Sequence, residues 1–253
     1  MLQAERRNKI LELLNVSGFV QVSELTDILE VSVETVRRDL EYLEKKEKIK
    51  KVHGGAILEN FDNLEVFNIR NKEYSKEKEE IANIAIRFIS DGQSIAMDSS
   101  TTNLAIAKKL KSNFKNLTIV TNSLLIALEL SDIENFNIFS TGGKLIPSQY
   151  CFIGNIAINN LDNFVIDTSF LSTSGISLSS GITDYNFYDV DIQKKMIDIS
   201  NKTIILADNS KFDKSALVKV ANLNEIDLII TDSNIDEDIL NIYKDNGVNI
   251  VYN

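Results

Sequence analysis

Side chains that could do chemistry gather in two parts of this sequence. In SVETVRRDL, from Ser32 to Leu40, two hydroxyls (Ser32, Thr35), one carboxylate (Glu34) and the adjacent guanidinium groups of Arg37 and Arg38 fall close together. Arginine can engage the acceptor edge of guanine with two hydrogen bonds, and hydroxyls reach phosphate oxygens, so this spacing suits a DNA major groove. Further along, polar clusters recur after short apolar runs: DSSTT (98–102), TNS (121–123), TGGK (141–144), STSG (172–175) with Gly181 and Thr183 behind it, and DNSKF (208–212). Amides and hydroxyls at a helix start make an anion site, and paired glycines let backbone approach a ligand closely. A Ser/Thr-rich helix cap without a ligand is the competing reading of residues 98–102.

The first set needs a helix to carry it. Ser32 is a good N-cap, and Val36, Leu40 and Leu43 repeat at i, i+4 and i+7, one apolar stripe at the helical period. Glu34, Arg38, Glu41 and Lys45 point away from that stripe, with Thr35 and Arg37 on its flanks. Alone, this is equally an amphipathic surface helix with solvated charges, and the neighbouring segments shift the balance. Ile10, Leu11 and Leu14 mark a helix over about residues 3–15, broken at Ser17 and Gly18. A second helix begins at Ser23, whose side chain can cap it, and buries Leu25, Ile28 and Leu29; only Glu30 and Val31 separate it from Ser32. Two short helices joined by a tight turn, the second with outward arginines, make a helix-turn-helix. Residues 45–53 then hold five lysines and His53 against Glu47 and run into Gly54 and Gly55. That pattern suggests a winged hairpin in which Ile49 and Val52 pair with Ile57, the glycines permit a positive-φ turn, and lysines such as Lys51 lie along phosphates. A solvated loop residue is as good a reading of His53 as a contact.

Composition bounds the rest. The net charge of −10 is awkward for a partner of polyanions, but it is unevenly spread: residues 1–60 hold 10 Lys and Arg against 11 Asp and Glu, and residues 61–253 hold 17 against 26. Charges beyond a Debye length of about 8–10 Å are screened, so local potential governs, and binding should be site-selective and weak on random DNA. A chain of 253 residues predicts two domains. No apolar run approaches the roughly 20 residues that span a bilayer, and MLQAERRNKI lacks a signal-peptide core. Cys151, the one cysteine, can form no internal disulfide, which together with the rest predicts a cytoplasmic protein.

Residues 59–74, with little periodicity, read as a linker whose Phe61, Val66 and Phe67 dock on a neighbouring domain; residues 1–58 precede it as one domain and 75–253 follow as another. A helix over about Ser75–Ser90 buries Ile81, Ile84, Ala85 and Phe88. Beyond Asp91, apolar runs at 95–97, 117–121, 137–140, 168–171, 203–207, 228–231 and 249–251 alternate with helical or loop segments, which predicts a mostly parallel α/β sheet. Ligands bind at the carboxyl ends of such strands, and the polar clusters fall there: Asp98 to Thr102, Asn122, Gly142 and Gly143, Gly175, and Lys211 with Asp208.

The first sixty residues resemble the DNA-binding domain of the DeoR family of bacterial transcription regulators. The resemblance is carried by Ser32, Thr35, Val36, Arg37, Arg38, Asp39 and Leu40, and by HGGA after them. From Lys78 to Thr231 the chain is similar to that family's sensor domain, through DSSTT, VTN, TGG, the GIS and GIT pair, and LADNSKF. The resemblance implies a fold related to ribose 5-phosphate isomerase and a phosphorylated sugar as ligand. It implies that Ser100, Thr101 and Thr102 hold the phosphate while Asp98, Gly142, Gly143, Asp189, Lys194 and Lys211 line the rest. The family usually has glycine where this chain has Ser100, and often glutamate at Asp189. Surface helix charge is the competing reading of Asp189 and Lys194, since Asp191 and Lys195 are spaced as an i, i+4 pair.

Isomerase chemistry needs a base within reach of the proton it removes, yet the corresponding strand end here is STSG, and Asp189 has no evident partner acid. The expectation is therefore a non-enzymatic repressor, with no cofactor and a small-molecule effector. It would bind double-stranded operator DNA as a homodimer or homotetramer, because paired half-sites need paired heads. An unregulated DNA-binding protein whose second domain only oligomerises is the alternative.

Overall fold

The computed structural model describes residues 2–17, 19–46, 48–52, 54–58, 71–185 and 187–253, which form two compact units, Met1–Lys72 and Glu73–Asn253. Gly18, His53 and residues 59–70, with Phe61, Val66 and Phe67, lie outside the described residues.

The first unit runs α1 (Gln3–Ser17), β1 (Phe19–Gln21), α2 (Val22–Leu29), α3 (Val33–Lys45), β2 (Ile49–Val52) and β3 (Gly55–Leu58). Helix α3 starts where its sequence says: Ser32 is extended and its Oγ accepts from the Thr35 amide. Val36, Leu40 and Leu43 are buried, and Ile10, Leu14, Leu25, Leu29, Ile49 and Ile57 are the other large side chains of the unit's core. Each such side chain contributes roughly 1.5–3 kcal/mol by burial. The tight turn before α3 is made by Glu30, a non-glycine residue in the left-handed region (φ 52) whose amide bonds to the Thr26 carbonyl.

Four details differ from the sequence reading. The chain passes from β1 directly into Val22, so Gln21 stands at the N-cap and its side chain makes no capping bond to the helix amides, and Ser23, already inside the first turn, donates to Gln21 Oε1 (3.3 Å) instead of capping. Ile28 is 44% exposed, because Val22, Leu25 and Leu29 define the buried face. Strand β1, too short to show alternation, pairs antiparallel with β3 and makes the order β1-β3-β2. In the hairpin, Ile57 lies opposite Lys50, while Ile49 faces Leu58 and Val52 faces Gly55.

The second unit opens with α4 (Ser75–Ala85), which tightens into a 3-10 turn (Ile86–Phe88) and so stops short of Ser90; Asn71 and Lys72 before it are already helical. Then come β4 (Ser94–Met97), α5 (Thr101–Asn113), β5 (Leu117–Thr121), α6 (Leu124–Leu130), β6 (Phe136–Ser140), β7 (Lys144–Ile146), β8 (Cys151–Ile153) and α7 (Asn155–Leu161). The chain continues through β9 (Thr168–Ser172), β10 (Gly175–Ser177), β11 (Gly181–Asp184), α8 (Phe187–Asp198), β12 (Thr203–Leu206), β13 (Val218–Ala221), β14 (Leu228–Ile230), α9 (Glu237–Asp245) and β15 (Ile250–Val251). All seven apolar runs fall in one sheet of order β15-β14-β12-β9-β4-β5-β6, every pair parallel. Its central strands are buried, which is why they read as continuous apolar runs. The chain builds β4, β5 and β6 to one side, then β9, β12, β14 and β15 to the other. Strand order therefore reverses between β4 and β9, the place where open α/β sheets leave a crevice for ligands. A β10-β11-β13 sheet and a β7-β8 hairpin, both antiparallel, complete the unit. Among the described residues, no helix is long and apolar enough to cross a membrane.

Candidate DNA-reading face and effector site

On α3, the Ser32 and Thr35 hydroxyls bond to each other at 2.9 Å. Arg38 Nε donates to Glu34 Oε1 at 3.2 Å in an exposed i, i+4 pair. Such a pair is worth about 0.3–0.5 kcal/mol, so a base edge or a phosphate displaces it at little cost. Arg37 is half-buried beside the stripe. The wing residues are arranged differently from the sequence reading. The Lys51 amide donates to Glu44 Oε1 (2.9 Å) and its ammonium to Glu41 Oε1 (3.3 Å), so Lys51 fastens the wing to α3. Gly54 has φ 71, and its carbonyl accepts from the Val22 amide at 2.7 Å. Gly55 is buried in the sheet between Val52 and Gln21 rather than at a free tip. His53 is outside the described residues.

Beneath the arginines, Asp39 is completely buried, and its two oxygens accept from Arg6 Nε (2.5 Å) and Arg7 Nε (2.7 Å) of α1. Arg7 also stacks on Tyr42, its guanidinium carbon 3.6 Å from the ring centroid. Helix α3 is thus locked to α1 through one carboxylate.

In the second unit, Asp98 follows β4 at the point of strand reversal. One oxygen accepts from the Ser100 amide (3.1 Å) and Asn103 Nδ2 (2.8 Å), the other from the Ser172 amide (2.7 Å) and Gln193 Nε2 (3.1 Å). Asp98 therefore binds together the ends of β4 and β9, the start of α5 and the middle of α8, and it is an organiser of the site more than a lining group. Ser100 caps α5 by accepting from the Asn103 amide. The next two residues, Thr101 and Thr102, are nearly buried, and among the described residues neither their amides nor their hydroxyls have a partner. Asn103 and Gln193 use their nitrogens fully, donating also to the carbonyls of Phe170 (2.7 Å) and Ser172 (2.9 Å). Their oxygens, with Asn122 Oδ1, are buried and unbonded.

The other sequence-derived residues divide. Asn122 stands at the end of β5, its nitrogen on the Phe152 carbonyl (3.2 Å). Gly142 (φ 62) follows at the end of β6. Gly143 is glycine for packing: a Cβ there would stand 2.7 Å from the Ile153 carbonyl oxygen. The same holds at Gly175, where a Cβ would stand 2.6 Å from the Lys214 carbonyl oxygen. Asp189 is half-buried, with the Cys151 thiol 3.9 Å from its Oδ1. Lys194 is exposed with Asp191 and Asp198 on the outer face of α8, and its neighbour Gln193 is the residue that turns inward. Lys195 pairs with Asp162 and, at 3.8 Å, with Asp198, not with Asp191. Lys211 lies 3.8 Å from Asp208 and 5.8 Å from the Tyr74 ring centroid, an edge contact two strands from Asp98.

Residues 6–60 match the family described as the DeoR-like helix-turn-helix domain, and residues 73–233 match the DeoR C terminal sensor domain. The chain belongs to the DeoR family. It is similar to the HTH-type transcriptional regulator YulB of Bacillus subtilis, 38% identical over 99% of this chain and 96% of that one. It is 35% identical to the transcriptional repressor GlcR of the same organism over 99% and 96%, and 30% identical to the glycerol-3-phosphate regulon repressor of Escherichia coli over 99% of each. Among solved structures, ribose 5-phosphate isomerase A of Methanocaldococcus jannaschii aligns over 55% of each chain at 14% identity with a TM-score of 0.39.

This DeoR-family protein is a transcriptional regulator. The sequence reading missed Asp39 as a hub, and Asn103, Ser172 and Gln193 as the partners of Asp98. Asp39 carried a signal, for it lies on the buried stripe between Val36 and Leu43, and a charge on such a stripe needs a partner. For Ser172 and Gln193 no local signal exists, because they reach Asp98 across 74 and 95 residues of sequence.

Proposed function

We propose that this regulator represses a sugar or carbohydrate operon and is released from operator DNA by a phosphorylated sugar bound in its second unit. The observation that carries the reading is the start of α5: at the N-terminus of a 13-residue helix beside the strand reversal, the adjacent amides and hydroxyls of Thr101 and Thr102 have no partner among the described residues. Partial positive charge and free donors at such a terminus suit a phosphate. Relatives named as repressors, one of them of a glycerol-3-phosphate regulon, support the same ligand class. Asp98 and Ser100 shape this terminus; we assign Asn122, Gly142, Gly143, Gly175 and Lys211 to the site from other strand ends and Asp189 from the first turn of α8, while Lys194 is exposed on the outer face of α8.

DNA is read by α3, with Arg37 and Arg38 on bases, Ser32, Glu34 and Thr35 beside them, and the wing with Lys51, His53 and Gly54 against the backbone, while Gly55, inside the sheet, shapes the turn that presents them. Two copies of the chain present two such heads. Arg38→Ala should weaken operator binding by about 5- to 150-fold, the value of one good base contact, and leave effector binding intact, as titration of both ligands will show. Thr101→Glu places a carboxylate at the phosphate position. It should retain operator affinity and lose release by effector, removing a coupling of about 1–3 kcal/mol in anisotropy titrations. Thr102→Val, which removes a hydroxyl without adding charge, should weaken effector response less.

A further inference from the structure

We propose that Arg7, Tyr42 and Lys46 form a clamp for a DNA phosphate, a contact separate from the base-reading residues of α3. The inference rests on α3 as the reading helix. Tyr42 lies four residues after Arg38, one turn further along the same outward stripe, and is 43% exposed. Two cations converge on its ring: the Arg7 guanidinium carbon at 3.6 Å from the centroid and Lys46 Nζ at 5.9 Å. Two like charges gathered over one ring repel unless an anion joins them, and Asp39, the only carboxylate bonded to the group among the described residues, is already shared with Arg6.

Arg7 is prepared for such an anion. Its Nε is fixed on Asp39 at 2.7 Å and its face lies on Tyr42, so its plane is set before any ligand arrives. Guanidinium has five N–H donors, and Nε uses one; among the described residues neither terminal nitrogen has a partner. Its side chain is 17% exposed, sheltered enough to limit screening yet not closed off from solvent. A planar fork of this kind matches phosphate oxygens, and Lys46 supplies a mobile second charge from the end of the helix. Where a reading helix leaves the groove, the next turn meets the backbone, which is where Tyr42 stands. The clamp also answers the charge problem posed by the sequence: Arg6, Arg7 and Lys46 against Asp39 leave local excess positive charge on a chain of net −10.

The test is the salt dependence of binding, measured by anisotropy with the full chain on an operator duplex and on a shuffled duplex of equal length. Removing one phosphate contact should lower the slope of log K against log salt by about 0.9 and weaken both duplexes by the same factor. Lys46→Ala, a surface change that leaves the fold intact, and Arg7→Gln, which keeps a donor for Asp39, should each do so. Lys108→Ala, the same charge change on the second unit, should leave the slope alone. Arg38→Ala should instead lower the operator-to-shuffled ratio. An unchanged slope in both clamp variants, or a loss confined to the operator, overturns the clamp. Loss of ratio in none of the variants, Arg38→Ala included, overturns the assignment of α3 itself.

Discussion

Asp39→Ala is expected to destabilise the Met1–Lys72 unit by about 3–5 kcal/mol, the cost of breaking a buried ion pair by removing one partner. The carboxylate is fully buried, and its loss strands two guanidinium groups, at 10% and 17% exposure, with nothing in place of the oxygens they bond. Domains of this size are stable by only about 5–15 kcal/mol, so the variant should lose DNA binding on every sequence at physiological temperature. Calorimetry of the full chain should show the transition of the first unit moving down while that of Glu73–Asn253 stays in place. Asp39→Asn keeps one acceptor and should fall between. A normal melting profile with binding lost only on the operator would make Asp39 a reader of DNA and not the tie between α1 and α3.

The second large effect is at Asp98. Alanine there leaves four N–H groups without an acceptor, the amides of Ser100 and Ser172 and one N–H each of Asn103 and Gln193, whose other N–H keeps the Phe170 or Ser172 carbonyl. A buried donor left unsatisfied costs about 1–3 kcal/mol, less where a water can enter, so the total should be several kcal/mol. Chemical denaturation of the ligand-free protein should show this loss in the Glu73–Asn253 unit. A side chain that only lined an effector site would leave the ligand-free protein unchanged and lower effector affinity alone; that outcome would return Asp98 to the role the family resemblance implied.

These two carboxylates mark where sequence stops being legible. The parallel sheet was readable because its strands are buried and so are unbroken apolar runs, and the reversal between β4 and β9 was not, because strand order is a tertiary fact. Strands β1, β7 and β10 have three residues each, too few for a period of two to show. The helix pair and Ser32 cap were local and came through; Ser23 did not cap because β1, unseen, runs directly into α2. Lys195 satisfied the i, i+4 rule toward Asp191 and chose Asp162 from another helix, a tertiary partner prevailing over a local one. Lys194 and Gln193 are adjacent, and on a helix one position is a rotation of about 100°, enough to exchange the solvent for Asp98. The paired glycines of TGGK suggest close approach to a ligand, but at Gly143 the space is filled by the Ile153 carbonyl, and at Gly175 the Lys214 carbonyl does the same.

The most direct test of a regulator with coupled sites is anisotropy of the full chain on DNA from upstream of its own gene, at fixed salt, with a panel of sugar phosphates and with Thr101→Glu in parallel. One phosphorylated compound should release the wild-type protein and leave Thr101→Glu bound. Tight binding that no phosphorylated compound alters, or release that Thr101→Glu still undergoes, would contradict it.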